Sequence, residues 1–349
     1  MHEMISGIQQ VGIGVSDANE AKYFYKQNFG MDVKIFDDRA EAALMTKYTG
    51  NTVHARHAIL SMNMSGGGGF EIWQFTTRAP SLPGKKIQFG DPGIFAAKIK
   101  ARDVNEAHDY FTQQGFRLSK IEKGHDNRFT FWLQDLSGNY FNIVEGSDWF
   151  KTKKVHCGGV VGAVIGVSNM EKALQFYKEM LGISEEVYNK IDTDFTIPGG
   201  GDEQSYHRVL LRKKASKHGA FSKLLGGIEI ELVQVMDSSP AHIFEKRYWG
   251  DCGFIHLCFD VPDMDSLKRK AEAAGYPFSV DSKDSYAMET SSGRFCYLED
   301  PDGTLIELVE THKVPVFKKF GLYIDLKNRK KNKPLPYWMV SLLALSKIK

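Results

Sequence analysis

The sequence predicts an α+β fold assembled from four copies of one small unit. Three observations predict it. First, the order strand, capped helix, glycine, strands recurs four times between about residues 5 and 311. Second, two copies are close in sequence: VVGAVIGVSNMEKALQFYKEMLGI in the third stands against QQVGIGVSDANEAKYFYKQNFGM in the first, with Tyr25-Lys26 matched by Tyr177-Lys178. Third, His256 and Glu307 each interrupt an apolar strand, which is costly in a core unless something pairs with them. Coincidence of caps and turns in four places is improbable, so the pattern reads as an internal repeat.

A chain of 349 residues is too long for one ordinary core and fits two domains. Its 42% hydrophobic and 25% charged residues are those of a globular protein. A net charge of +2 removes any broad electrostatic case for nucleic acid or an anionic membrane. Cys157, Cys252, Cys258 and Cys296 show no CxxC spacing and are too few for a disulfide scaffold; Cys258 and Cys296 read as buried thiols. MHEMISGIQQ lacks the basic start and apolar run of a signal peptide, and no stretch approaches the roughly 20 apolar residues of a membrane span. The expected location is the cytoplasm.

Unit one opens with a strand from Ile8 to Val15. Ser16 or Asp17 caps a helix with apolar residues at helical spacing (Ala21, Phe24, Tyr25, Phe29), and Gly30 closes it. Strands follow around Val33 to Phe36 and Ala58 to Met62. The glycine run Gly66 to Gly69 is no phosphate loop, since no Lys-Ser or Lys-Thr follows; it reads as a flexible hairpin tip before FEIWQF, which carries Glu71. In unit two, Asp103 caps VNEAHDYFTQQ and Gly115 ends it; DLSGNYFNIVE matches DPDGTLIELVE of unit four position by position, setting Asn142 against Glu307 and Ala96 against His256. The charged, aperiodic stretch from Gly146 to His156 is the best boundary. The division is thus 1–150 (units 5–75 and 90–146), 151–312 (units 157–236 and 252–311) and a basic tail, 313–349. In unit three, GGIEIELVQ stands against GGFEIWQF, so Glu231 matches Glu71 and Gly162 matches Gln10.

Unit four holds His256 in a strand, a helix capped by Asp263 and closed by Gly275, a Pro-Asp-Gly turn at Pro301 to Gly303, and Glu307 in the last strand. In the tail, basic residues gather between Lys327 and Lys333 ahead of an apolar run. It reads either as a membrane-surface or partner-binding anchor or as a solvated linker with a terminal helix packed on the body or on another subunit. The second reading is preferred, because the apolar run is short and the basic residues precede it.

These motifs resemble the vicinal oxygen chelate superfamily, which includes glyoxalase I, bleomycin resistance proteins and extradiol dioxygenases. The resemblance implies four βαβββ modules forming two curved eight-stranded half-barrel sheets with helices outside. It also implies metal ligands on the first and last strands of paired units. If neighbouring units pair, the back half offers Glu231, His256 and Glu307. If the outer units pair, Gln10, Glu71, His256 and Glu307 resemble the full glyoxalase I ligand set, and Ala96, Asn142, Gly162 and Glu231 form a dead site. One complete set beside one ruined set is the simpler arrangement, so outer pairing is preferred. By itself, Gln10 could be an ordinary hydrogen-bonded amide and His256 a satisfied core histidine; Glu71 and Glu231 could face solvent on edge strands. One imidazole among oxygen donors suits a divalent zinc, nickel, cobalt, manganese or iron(II) ion.

The resemblance further implies proton transfer beside a carbonyl of a small hydroxy or keto compound, with Glu307 as base and Glu71 as its counterpart. Gly14 and Phe75 stand where glyoxalase I enzymes place the arginine and asparagine that hold glutathione, so a glutathione-linked substrate is not expected. Tyr297 fits the tyrosine of extradiol dioxygenases, but Gly162 replaces a required histidine and METSSGRFC lacks the catalytic one. Arg294 is expected near the mouth, either binding a substrate carboxylate or phosphate or lying on the surface. Tyr297, Trp73, Phe75 and Phe129 are the aromatic candidates for the pocket wall. The alternatives are an iron-dependent dioxygenase and a non-catalytic resistance-type binding protein; fold alone does not separate them. The expected partner is a small molecule, with a homodimer possible and no stable membrane insertion.

Overall fold

The computed structural model of the chain describes residues 3–348 apart from 152–154, 194–196, 201–203, 284–285, 289–290, 318–320, 328 and 331–332. Parts of the expected boundary (152–154) and of the basic cluster (328, 331–332) therefore lie outside the described residues. Unit one comprises β1 (Gly7–Gly14), α1 (Ala18–Phe29), β2 (Val33–Glu41), β3 (Ala55–Met62) and β4 (Gly69–Phe75). Unit two comprises β5 (Gly93–Ala101), α2 (Val104–Gln113), β6 (Glu122–Lys123), β7 (Phe129–Gln134) and β8 (Tyr140–Glu145). Unit three comprises β9 (Val160–Gly166), α3 (Met170–Gln175), β10 (Glu185–Asp192), β11 (Tyr206–Lys213), the single turn α4 (Ser222–Leu225) and β12 (Ile228–Val235). Unit four comprises β13 (Gly253–Asp260), α5 (Met264–Ala273), β14 (Val280–Asp281), β15 (Tyr286–Met288), β16 (Ser291–Glu299) and β17 (Leu305–Phe317). β18 (Leu322–Asp325) and α6 (Tyr337–Ser341) complete the chain.

The helices start where the side-chain caps stand. Asp17 accepts from the backbone N–H groups of Asn19 and Glu20, Asp103 from those of Asn105 and Glu106, and Asp263 from that of Ser266. Gly30 ends α1 in the left-handed region, at φ +64°.

Two curved half-barrel sheets form, and they do not follow the halves of the chain. The order β14-β16-β17-β13-β1-β4-β3-β2 joins unit four to unit one, with β15 and β18 as short additions; β10-β11-β12-β9-β5-β8-β7-β6 joins unit three to unit two. The outer pairing preferred from the sequence is the one these sheets adopt. The segments 1–150 and 151–312 are pairs along the chain, not pairs within a sheet. In both sheets the first strands of the paired units meet antiparallel at the centre, β1 on β13 and β5 on β9. One large core packs the helices against a face of each sheet, and a smaller apolar cluster lines the opposite face of each.

Consecutive units are tied by their helices. The Tyr25 hydroxyl donates to Asp135 at 2.6 Å, and its repeat mate Tyr177 donates to Asp300 at 3.0 Å. All four groups are buried, so each bond joins a helix to the turn before the next unit's last strand and satisfies an otherwise costly carboxylate.

Two expectations are corrected here. The glycine run is no flexible tip: residues 66–69 are buried and join unit one to unit three. Gly67 N–H donates to the Leu224 carbonyl at 2.8 Å, Gly68 N–H to that of Val160 at 2.7 Å, and Gly159 N–H to that of Gly66 at 2.8 Å. A Cβ on Gly67 would stand 2.7 Å from the Gly159 carbonyl carbon at φ +101°, so only glycine permits this approach. The tail packs a terminal helix on the body, as preferred from the sequence, but it does not begin as a separate segment at 313. β17 runs on to Phe317 and pairs with β18, and the end of the chain returns to β2. Lys34 N–H donates to the Ser346 carbonyl at 2.8 Å, and Ile348 N–H to that of Asp32 at 2.7 Å. Leu335, Val340 and Leu343 are buried in the same apolar cluster as Trp73 and Tyr297. No helix among the described residues is long and apolar enough to cross a membrane.

Candidate metal centre

Four adjacent central strands, β17, β13, β1 and β4, each contribute one buried polar side chain: Glu307, His256, Gln10 and Glu71. The register aligns them. Gly12 lies opposite both His256 and Glu71, and Cys258 lies opposite both Gln10 and Glu307. Donor atoms of Glu71, His256 and Glu307 all fall within 4.8 Å of one another. The His256 Nε2 atom is 3.1 Å from one oxygen of each carboxylate. Gln10 Nε2–H donates to Glu307 Oε2 at 3.1 Å.

The imidazole has room only because Gly12 faces it. A Cβ there would sit 2.5 Å from both Cε1 and Nε2 of His256. The second sheet presents the converse pair, Val164 opposite Ala96, where bulk on one strand replaces the ring on the other. The remaining ring nitrogen, Nδ1, lies 3.1 Å from the Tyr297 hydroxyl, so it is held in the plane that leaves Nε2 facing the carboxylates. Burial alone would lower the His256 pKa, but the charges of Glu307 and Glu71 outweigh it and raise it to about 9. Burial and the same two carboxylates hold the Tyr297 hydroxyl protonated, well above its ordinary range.

A divalent cation fits this donor set. His256 Nε2 is buried and makes no well-aligned hydrogen bond to either neighbouring carboxylate, and Gln10 Oε1 is buried with no hydrogen-bond partner among the described residues. Two carboxylates, one imidazole nitrogen and one amide oxygen left over are what a borderline metal ion takes as ligands. The cluster forms the floor of a cavity of about 290 Å³. Its walls are mainly apolar: Leu60, Met62, Trp73, Trp249, Phe295 and Val314 among them, with Leu343 of the tail.

The second sheet has no such centre among the described residues. Glu231, at the position of Glu71, is held by Lys98 Nζ at 2.9 Å and by Arg208 at 2.6 Å. Two cations take the place a metal would have, and they hold Glu231 ionised far below the ordinary carboxylate range despite its burial. The alternative trio of Glu231, His256 and Glu307 is therefore not brought together, because Glu231 belongs to the other sheet. Ala96, Asn142 and Gly162 accompany it there; a side chain at Gly162 would meet the Glu229 carbonyl oxygen at 1.9 Å.

Of the expected wall residues, Trp73 and Tyr297 line the cavity. Arg294 does not: its guanidinium binds Asp281 at 2.7 Å and Asp265 at 2.6 Å. Strand alternation explains this, since Phe295 and Tyr297 of β16 face the cavity and their neighbours point the other way. Phe75 is buried edge-on against Trp73, beneath the Arg78 guanidinium, and Phe129 is half exposed on the second sheet. The segment between β12 and β13 packs against Gly14 and against the rings of Trp73 and Phe75. A side chain at Gly14 would meet the Asp251 carbonyl oxygen at 2.0 Å, and one at Gly250 would strike Trp73 and Phe75. Trp249, from the same segment, lies parallel to His256 with ring centres 6.3 Å apart. It falls outside the repeat, so no internal match could have pointed to it. Gly12 could have been found, as the one repeat position where Val164 is exchanged for glycine opposite a histidine.

Residues 7–143 and 156–308 each match the family profile described as Glyoxalase/Bleomycin resistance protein/Dioxygenase superfamily. Among solved structures, a provisionally assigned dioxygenase from Bacillus subtilis is similar with a TM-score of 0.55 at 13% identity, over 88% of this chain and 86% of that one. Glyoxalase I from Zea mays is similar with a TM-score of 0.51 at 12% identity, over 87% of this chain and 92% of that one. At such identities the likeness is one of fold. None of the curated proteins searched matches the sequence.

Proposed function

The chain belongs to the Glyoxalase/Bleomycin resistance protein/Dioxygenase superfamily, and from that premise we propose that it is a metal-dependent lyase or isomerase of glyoxalase type. The observation that carries the reading is the convergence of Gln10, Glu71, His256 and Glu307 on four adjacent strands, with His256 Nε2 facing both carboxylates and Gln10 Oε1 without a hydrogen-bond partner among the described residues. A bound zinc, nickel, cobalt, manganese or iron(II) ion would supply Lewis-acid polarisation of a carbonyl or hydroxyl oxygen. Glu307 takes the proton from the adjacent carbon, and Glu71 faces it across the cluster as the second carboxylate. Tyr297 keeps His256 oriented, Gln10 steadies Glu307 through its amide N–H, and the apolar walls exclude water from the proton-transfer step.

The substrate in this reading is a small α-hydroxy or α-keto carbonyl compound with an apolar body, not a glutathione adduct. The backbone packed against Gly14 and the buried ring of Phe75 support the second point. Arg56, the arginine of the wall, is committed to Asp38 at 3.0 Å. A ferrous dioxygenase with the usual two histidines and one carboxylate is disfavoured by a set with one histidine and two.

Metal analysis coupled to solvent exchange tests the proposal. Protein loaded in turn with zinc, nickel or manganese is expected to exchange the α-proton of an aromatic α-hydroxy ketone in deuterated water. Glu307→Gln should abolish the exchange and retain metal. Oxygen uptake only with iron(II) would replace the reading with a dioxygenase, and failure to retain any metal would replace it with a binding protein.

A further inference from the structure

Gln9 lines the metal-site cavity beside Gln10, although neighbours on a regular strand face opposite ways. A β-bulge brings it there. Ile8 pairs with Phe259 and Gln10 with Cys258, so Gln9 is an extra residue with no counterpart on β13. The bulge belongs to the repeat. On β9, Gly162 pairs with Lys98 and Val160 with Ile99, which leaves Val161 extra at the matching position. The sheet with the metal centre thus aims an amide into its cavity from the bulge where the other sheet carries a valine.

The Gln9 side chain is only half-buried, and its bonding defines what it can take. Its Nε2–H donates to Thr311 Oγ1 at 3.3 Å. Its Oε1 has the Cys258 thiol at 3.9 Å, a weak donor at long range, so most of its acceptor capacity is unused. Thr311 also lines the cavity; its hydroxyl accepts from Gln9 and keeps its own proton to give. An acceptor beside a donor, both neutral, complements a neutral hydroxyl group. A carboxylate or phosphate would find no free cation, since Arg56 is the one cationic side chain lining the cavity among the described residues and it is paired with Asp38. Thr311 lies four residues beyond Glu307 on β17, about 13 Å along a strand. Val309 and Phe295, paired across β17 and β16, line the interval. Leu224 and Leu225 of α4 also line the cavity, and Leu225 is packed against Gly7 at the start of β1. Allowing about 3 Å for contact at each end leaves about 7 Å between a carbonyl carbon at Glu307 and the hydroxyl oxygen, roughly the span of two fused aromatic rings.

We propose that Gln9 and Thr311 form the far anchor of the substrate cavity and bind a neutral hydroxyl group, carried on a two-ring aromatic body whose carbonyl end lies at Glu307. The hydroxyl donates to Gln9 Oε1 and accepts from Thr311. The placing of the carbonyl rests on the reading of the metal centre; the hydroxyl anchor does not.

Calorimetric titration of chelator-treated protein with 2-acetylnaphthalene, its 6-hydroxy derivative and its 6-methoxy derivative tests it. The hydroxy compound is expected to bind the wild type roughly five- to tenfold tighter than the other two. Gln9→Leu should level the three affinities without weakening the unsubstituted compound, a pattern that a merely structural role for the amide would not give. Thr311→Val should reduce the preference as well, and it carries the test if Gln9→Leu does not fold. Glu307→Gln should keep the preference. No preference in the wild type, one that survives both Gln9→Leu and Thr311→Val, or one that is lost in Glu307→Gln would each overturn the anchor. A preference intact in protein that exchanges no α-proton supports the anchor and counts against the metal reading alone.

Discussion

Gly12→Ala isolates the geometry of the metal centre without touching a proposed ligand. The added methyl would stand 2.5 Å from Cε1 and Nε2 of His256 and 2.8 Å from Nδ1. Ordinary contact begins near 3.4 Å, so the ring has to retreat by roughly 0.9 Å. It cannot do so freely, because Tyr297 holds Nδ1 and Trp249 lies parallel to the ring. Metal–ligand distances tolerate only about 0.2 Å, so the imidazole leaves the set and affinity should fall about 100-fold, or roughly 2.7 kcal/mol. Overpacking should cost the fold about 1–3 kcal/mol. Zinc competition against a chromophoric chelator reads the first quantity and thermal denaturation the second. The second sheet supplies an internal control, since Val164 faces Ala96 there without conflict. Gly12→Val combined with His256→Ala rebuilds that pair and should recover most of the stability lost by Gly12→Val alone, while binding no metal. Wild-type zinc affinity in Gly12→Ala, or a double variant no more stable than Gly12→Val, would refute the reasoning.

Other outcomes follow from the same structure. His256→Ala should remove bound metal, measured by elemental analysis, while circular dichroism stays native; unchanged metal content would place the centre elsewhere. In metal-free protein, His256 has its pKa raised to about 9 from an ordinary 6.5, so the stability it contributes is complete below about pH 6.5 and is lost as pH rises through 9. Metal competes with that proton, so zinc affinity should climb as pH rises from 6 to 8, close to tenfold per unit; a flat profile would mean that His256 is not a ligand. Lys98→Met removes one of the two cations at buried Glu231 and should cost about 3–5 kcal/mol in urea unfolding with metal content unchanged. Leu343→Ala opens the tail's side of the cavity, so KM should rise with little change in kcat; an unchanged KM would mean that the tail does not shape the site.

The sequence alone determined the repeating unit and its punctuation. Asp17, Asp103 and Asp263 mark helix starts because a side-chain cap is a local interaction, and strand alternation is local too. It also marked Glu71, His256 and Glu307, because carboxylates and a histidine on apolar strands stand out one at a time, and Gln10 through the position it shares with the family's ligand set. Which of them share a floor was decided only in three dimensions, by β1 of unit one pairing with β13 of unit four. Arg294 shows the same limit, since a partner such as Asp281 on another strand is invisible in a linear pattern. So do the glycines from 66 to 69, whose composition suggests freedom while backbone from Gly159 to Val160 and at Leu224 locks them in place. Trp249 and the returning tail reach the cavity from outside the repeat, so no internal comparison could have located them. Caps, turns and alternation depend on neighbours a few residues apart; a buried centre depends on distances between segments, which only packing sets.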